Sequence, residues 1–549
     1  MKIGFKNFKK FKDFPMIELA PITFLVGPNN SGKSSFIKAL TLLQENINLM
    51  LSQKNFLDHY FKRFIKSGRK NGFKSDFMGS VSFEEINTKY GWGGLPAFVM
   101  RGENEDTLEF SWSFEQYCIS IIFGASLSER LQFNALNLHP YIKTVEIRDI
   151  KNGTILVFDS KVPGEEGQLY FKEINLLKYA EWIKKKIEWI DYRIGRRNER
   201  FEHSSNSSSY NDDINKKSTY IEFDEFELKF HNKHYNDRIE NEKSLYEDTL
   251  KYIEDENPIL VDVNLHGSEN DVVKAILSTY AYFIVNQFES ATRKNLKRNI
   301  FYIEAHNASH DLILKADDKN NYLTATINQY FSEVYGYEHI TVDGKDTHIY
   351  DWLCKQLKNL GVCGSFKILS KYDGTAYEIK ISDHENVTYE QNPELFYDLG
   401  TKGTGSIQIF ILLLRIGVAL ARLYHEGSDS LIIVEEPEQN LHPALQSSLA
   451  DLFLKVFEIS NQRIAFVVET HSEYLIRRTQ VMVAKEHYPD EETLEKKNPF
   501  KVYYFPEEGL PYDMGYKISG RFIKKFDYGF FDEATKWYLK ILYYEQGGV

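Results

Sequence analysis

Residues 22–35 read Ile22-Thr23-Phe24-Leu25-Val26-Gly27-Pro28-Asn29-Asn30-Ser31-Gly32-Lys33-Ser34-Ser35. The first five are β-branched or apolar, as in a central strand buried on both faces. A Gly/Asn/Ser loop follows, and the pattern from about Lys33 to Ile47 predicts an amphipathic helix. Gly27 to Ser34 match G-x-x-x-x-G-K-[ST] at every defined position, in the strand–loop–helix setting that this motif needs. Glycines let the backbone curl so that successive N–H groups face an anion. The helix start adds positive potential. Lys33 then offers an ammonium to the β- and γ-phosphates of ATP, and Ser34 a hydroxyl to Mg2+. The competing reading is a chance Gly-rich turn before a helix.

Three further segments point to the same chemistry. Leu431-Ile432-Ile433-Val434 predicts a second buried strand, ending in the adjacent carboxylates Glu435 and Glu436. Ligands gather at the carboxyl ends of parallel strands. There Glu435 can hold a magnesium ion, directly or through water. Glu436 can polarise a water for attack on a γ-phosphate. Gly403-Thr404-Gly405-Ser406 opens a long helix, either as a second anion-binding turn or as a flexible helix start. Glu469-Thr470-His471-Ser472 closes another apolar strand; His471 can bond a γ-phosphate or the attacking water, or simply cap the strand end. Ser472 and His471 make a poor nucleophile–base pair, because neighbours on a strand point to opposite faces.

The chain has 549 residues, enough for two or three folding units. Hydrophobic residues at 42% and charged residues at 27% fit a soluble globular protein. No signal peptide precedes the first strand, and the apolar run Ile407 to Leu420 is too short for a membrane span. Cys118, Cys354 and Cys363 are odd in number and scattered, which argues against a disulfide framework and for a cytoplasmic location. The net charge of −12 confines any DNA or RNA contact to local patches.

The start of the chain, Ile3 to Val26, predicts two strands around a turn at Asp13-Phe14-Pro15. Residues 107–160 alternate as an antiparallel sheet does, and helical patterning begins near Phe171. We expect an N-terminal lobe over 1–170 and an inserted helical arm over 171–298, with a disordered loop near 203–218. A C-terminal lobe over 299–549 follows, and the central sheet draws on the first fifty and last one hundred and fifty residues. Three basic runs are candidate nucleic-acid contacts: Lys62 to Lys74, Lys184 to Arg197 with Trp182, Trp189 and Tyr192, and Arg293 to Arg298. Their alternative is a solvated helix face, with the tryptophans against a partner helix. His306 and His310 have metal-like spacing but lack a further strong ligand nearby.

Phosphate loop, glycine-serine turn, acidic strand and histidine follow one another along the chain. This set resembles the ABC ATPase class that includes SMC, RecF and MutS proteins and the overcoming-lysogenization-defect nucleases. Glu435-Glu436-Pro437-Glu438-Gln439-Asn440-Leu441-His442-Pro443, with the Thr470-His471-Ser472 segment, resembles the motifs of prokaryotic defence ATPases. Length and layout are similar to the PtuA family of Septu-type anti-phage systems, some of them retron-borne. The resemblance implies an α/β ABC-type head, a mixed sheet flanked by helices, with an inserted antiparallel region and a short arm. It implies Lys33 and Ser34 as the Walker A pair, Glu435 as the Walker B acid in place of Asp, and Glu436 as catalytic glutamate. It also implies Gly405 and Ser406 as the signature, although L-S-G-G-Q is not spelled out, and His471 as the switch histidine. In this class one subunit's signature caps the ATP of the other, which implies a homodimer closed by ATP. The implied partners are an HNH nuclease and, in retron-borne systems, a reverse transcriptase with its msDNA. A RecF-like repair ATPase clamping DNA is the rival expectation. Only about 78 residues follow His471, without a convincing D-x-D, so no nuclease activity is expected in this chain.

Overall fold

The computed structural model describes residues 1–52, 107–114, 117–125, 140–149, 153–160, 169–175, 180–192, parts of 243–251, 260–262, 298–305, 313–317, 322–334, 339–527 and 530–545. Its first half holds β1 (Lys2–Phe8), β2 (Phe11–Glu18), β3 (Ile22–Val26), α1 (Lys33–Ser52), β4 (Thr107–Phe114), β5 (Tyr117–Ala125), β6 (Pro140–Asp149), β7 (Gly153–Ser160), β8 (Leu169–Asn175), α2 (180–192) and β9 (Leu260–Asp262). Then come β10 (Arg298–Ile303), β11 (Leu314–Lys315), α3 (Tyr322–Glu333), β12 (His339–Val342), β13 (Lys345–His348), α4 (Ile349–Asn359), β14 (Ser365–Lys371), β15 (Ala376–Ser382) and β16 (Tyr397–Asp398). The last part holds α5 (Thr404–Glu426), β17 (Asp429–Glu435), α6 (Pro443–Ile459), β18 (Ile464–Thr470), α7 (Glu473–Lys485), α8 (Glu491–Lys497), β19 (Phe500–Tyr504), β20 (Tyr512–Asp513) and α9 (Glu533–Glu545).

The core sheet runs β10-β17-β18-β3-β19, all parallel, with β20 antiparallel at its edge. Its strands are apolar along their length because both faces are covered. Phe24, Ile432, Ile433, Phe466 and Val468 are fully buried or nearly so; each such side chain contributes about 1.5–3 kcal/mol over its exposed state. Phe453 of α6 packs on Phe24 and on Phe466, at 6.4 and 4.8 Å between ring centres. Helix α5 lies between β17 and β10 on one side and α3 and α4 on the other. That enclosure explains why it is apolar all round. Its buried cation Arg415 bonds Gln329 of α3. With 23 residues it is long and apolar enough to cross a bilayer, contrary to the sequence expectation, but it is a buried core helix.

An antiparallel sheet, β2-β1-β4-β5-β6-β7-β8-β9, stands beside the core. Phe14 of β2 stacks on Phe36 of α1, with ring centres 5.4 Å apart. Here the sequence reading needs correction. Residues 3–26 form three strands, and the chain reverses at Lys9-Lys10. Pro15 lies inside β2, an edge strand, where the register with β1 slips between Ile3 and Phe5. A residue without an N–H is tolerated there. Residues 171–175 are strand, not helix, so the expected lobe boundary at 170 falls within β8. β10 joins the core sheet, which therefore does not come from the two chain ends alone.

Trp182 and Trp189 are buried, and Trp182 meets Tyr246 edge-on at 5.7 Å. The partner-helix alternative therefore holds for Trp182, and neither ring is an open stacking platform. Arg298, of the third basic run, is half-buried in β10 and stands in register with Asp429 of β17. Lys62 to Lys74, Arg193 to Arg197, Arg293 to Lys297, His306, His310 and the loop 203–218 lie outside the described residues.

Candidate functional site

Strand register brings the sequence motifs to one edge. Glu435 pairs with Glu469 across β17 and β18, and Glu469 pairs with Leu25 across β18 and β3. Thr470 and Tyr504 both flank Val26. The loop after Val26 and the carboxylates of β17 and β18 thus share the carboxyl edge of the sheet, where ligands of open α/β folds bind.

The loop is built for close approach. A Cβ on Gly27 would sit 2.2 Å from the Phe505 carbonyl oxygen, so only glycine fits. Asn30 has φ 60°, and Lys10 of the β1–β2 turn donates to its carbonyl at 3.1 Å. The Phe36 N–H is the first of α1 to reach a carbonyl, that of Gly32 at 3.0 Å. The amides of Lys33, Ser34 and Ser35 are therefore left over at the helix start, available to an anion. Asn29 and Asn30 are exposed, Pro28 and Ser35 half-buried, and Ser31 is buried with its hydroxyl unpartnered.

Lys33 is 3% exposed and donates to the carbonyls of Gly27 at 3.0 Å and Pro28 at 2.8 Å. Its Nζ stands 3.6 Å from Glu469 Oε1. Burial holds its pKa below the usual lysine value, and Glu469, Glu436 and Glu438 oppose that shift. Ser34 donates to Glu469 at 3.1 Å (Oε2) and 3.3 Å (Oε1). Sequence reasoning gave Glu469 no role. It was already within the quoted Glu469-Thr470-His471-Ser472 segment, but only the β17-β18-β3 register sets it against the loop.

Glu435 lies one strand further out and accepts from Tyr302 of β10 at 3.0 Å. Burial, then the Glu469 charge, push its pKa up to about 7. Glu436 is the first residue past β17, with φ 45°, a left-handed conformation unusual outside glycine. Its N–H donates to the Glu469 carbonyl at 2.8 Å, and Gln439 Nε2 donates to its Oε2 at 2.6 Å. Its Oε1 lies 3.6 Å from His471 Nε2. Burial, then the Lys33 charge, hold His471 below the usual histidine pKa, and the Glu436 charge opposes them. Glu438 accepts from the His471 N–H at 2.7 Å, while its second oxygen is buried without a partner. Glu438 is a second carboxylate that sequence reasoning passed over; burial pushes it up to about 7.

Ser472 caps α7, accepting from the Leu475 N–H at 3.1 Å, and donates to Gln446 at 2.6 Å. It is a structural cap, a role the sequence reading does not assign; that reading makes it only a poor nucleophile for His471. Gly405 and Ser406 start α5, where a Cβ on Gly405 would meet the Asn440 carbonyl oxygen at 2.7 Å. The glycine-serine turn is thereby packed on the turn that follows the acidic strand. Among the described residues no hydrogen bond or ion pair joins it to residues 27–35 of the same chain.

The Ser34 hydroxyl and the Glu469 carboxylate are oxygen donors in contact, with Glu435 on the neighbouring strand, and oxygen donors suit a hard dication. Such an ion supplies charge neutralisation between phosphate oxygens.

A glycine-rich loop between a central parallel strand and a helix, flanked by acidic strand ends, defines a P-loop nucleotide hydrolase. Residues 1–476 match the AAA ATPase domain family AAA_15, and the chain belongs to that family and is an ATPase. A search of the curated proteins gives no match. Similar solved structures include the SMC head bound to the C-winged helix domain of ScpA, at 9% identity and TM-score 0.32, covering 92% of this chain and 93% of that one. The SMC head domain from Thermotoga maritima is 10% identical at TM-score 0.25, covering 87% and 90%. RecF-ATPrS, the recombination mediator of the RecFOR pathway, is 13% identical at TM-score 0.24, covering 94% and 97%.

Proposed function

We propose that this chain is a Mg2+-dependent ATPase switch whose two copies close around ATP and control an associated nuclease in prokaryotic anti-phage defence. The convergence of Lys33, Ser34, Glu469, Glu436 and His471 on one sheet edge carries the ATPase part. In this reading the amides of residues 29–35 and Lys33 hold the phosphates, and Ser34 with Glu435 would hold a magnesium ion, which would neutralise phosphate charge. Glu436 takes the proton of the attacking water. His471 lies against Glu436 and bonds the γ-phosphate or that water. Gly405 and Ser406, packed at the start of α5 against the turn after the acidic strand, cap the ATP of a second copy. The defence assignment rests on the likeness of residues 435–443 and 469–472 to defence ATPases, with an HNH nuclease as partner and, where retron-borne, a reverse transcriptase and its msDNA. The two outer lobes would carry the head and the segment between β8 and β10 the arm, apart from β9, which pairs with β8.

The test is direct. Lys33→Ala abolishes ATP binding, and Glu436→Gln binds ATP, stops hydrolysis and accumulates a dimer in light scattering. Normal hydrolysis by Glu436→Gln removes the catalytic assignment. Co-purification of an HNH nuclease supports defence, whereas ATP-dependent clamping of DNA without one supports a repair role.

A further inference from the structure

Glu436, Glu469 and His471 each offer one donor atom within 4.8 Å of the others. His471 Nε2 stands 3.6 Å from Glu436 Oε1. Donors around a first-row dication stand about 3–4 Å apart, given metal–ligand bonds of ~2.0–2.2 Å. The His471–Glu436 pair already stands at that spacing, and the other separations, none above 4.8 Å, close on binding. Other atoms of the same segments fix the trio. The Glu436 N–H holds the Glu469 carbonyl at 2.8 Å, Glu438 holds the His471 N–H at 2.7 Å, and Gln439 holds Glu436 Oε2 at 2.6 Å. These bonds restrain the segments while leaving Glu436 Oε1 and His471 Nε2 facing each other. A set positioned in this way loses little freedom on binding.

Charge points the same way. Glu436, Glu438 and Glu469 all act on one ammonium, that of Lys33, and Glu435 adds a fourth carboxylate beside Glu469. Glu436 and Glu469 alone already set two carboxylates against the one ammonium, and a dication balances the excess. Magnesium prefers an all-oxygen shell, whereas two carboxylates with one imidazole suit Mn2+, Fe2+ or Zn2+.

We propose that Glu436, Glu469 and His471 form a binding site for a first-row transition-metal dication in the nucleotide-free protein, distinct from the magnesium position at Ser34. Glu469 faces both positions, because it also accepts from Ser34.

The experiment uses the full chain, without nucleotide, titrated with Mn2+ and read by electron paramagnetic resonance. The expected result is one bound Mn2+ with hyperfine coupling to a single imidazole nitrogen. His471→Ala removes that coupling and weakens binding by at least about tenfold, the scale seen even for outer-shell changes. Ser34→Ala keeps the coupling. A wild-type protein that binds no Mn2+, or binds it without nitrogen coupling, overturns the proposal whatever the variants do. Coupling that persists in His471→Ala overturns it as well. If wild type shows no coupling while Glu436→Gln still abolishes Mg2+-ATP hydrolysis, the cation site falls and the ATPase reading stands.

Discussion

The hydroxyl of Ser34 is bonded to the carboxylate of Glu469, 3.1 Å away, although 435 positions separate them in the chain. Glu469 also faces Lys33, with its Oε1 3.6 Å from Nζ, so it is the nearest anion to that ammonium. Removing it leaves a buried ammonium without its counter-charge. Glu469→Ala is expected to destabilise the nucleotide-free protein by about 3 kcal/mol, as for broken buried pairs. A non-hydrolysable ATP analogue should recover much of that loss, because phosphate replaces the missing carboxylate. Urea unfolding with and without the analogue measures both effects. Equal midpoints for wild type and variant without nucleotide would falsify the counter-charge role.

Glu438 joins the acidic turn to the histidine strand end through the His471 N–H. Glu438→Leu removes that acceptor, and misplacement of His471 should lower kcat by up to about a hundredfold. KM for ATP should change little, because the phosphate loop is untouched. Glu438→Gln keeps an acceptor oxygen and should retain most of the activity. Steady-state kinetics on both variants decides; equal losses contradict the positioning role.

The same carboxyl gives a pH dependence of stability. Its ordinary pKa is 4.5 and its folded value about 7. Between those values the native state holds a proton that the unfolded chain has released. Stability in this window must therefore fall as pH rises. In metal-free, nucleotide-free protein the urea midpoint should drop from pH 5 to pH 7, and drop less in Glu438→Gln. A slope that is identical in the variant assigns the effect elsewhere.

Cys354 and Cys363 are buried, and burial pushes both thiols up to about 12. Thiolate is the reactive form, so both should resist a thiol reagent at pH 8 in native protein and react on unfolding. Mass spectrometry of the labelled peptides reads this directly. Fast native labelling of either one contradicts their placement.

Trp182 is packed on Tyr246 rather than open to solvent. Trp182→Ala should therefore cost about 3–5 kcal/mol of local or global stability. Calorimetry shows a lowered Tm if the packing is right. Unchanged stability with weakened single-stranded DNA binding would restore the stacking role.

The elements that sequence disclosed best carry their cause locally. Ile22 to Val26 is apolar because helices cover both faces, and Gly27 is glycine because Phe505 crowds it. Leu431 to Val434, with the acids that end it, is legible for the same reason. Non-local features stayed hidden. Nothing near Glu469 announces that two strand pairings set it against Ser34. Asp13-Phe14-Pro15 has turn chemistry, yet an edge position and a register slip let Pro15 stay extended. The alternation of Leu169 to Asn175 was overlooked because a true helix starts only five residues beyond it.

The core sheet also imposes an order on the birth of the molecule. Val26 emerges early from the ribosome, but its two flanking strands, ending at Thr470 and Tyr504, emerge more than four hundred residues later. At ~5–20 residues per second, that interval is on the order of tens of seconds. Until then the apolar strand Ile22–Val26 has no neighbours, and its loop has no edge to stand on. A nascent chain therefore stays incapable of gripping nucleotide until translation is almost done, and a prematurely terminated product cannot act as a half-working switch.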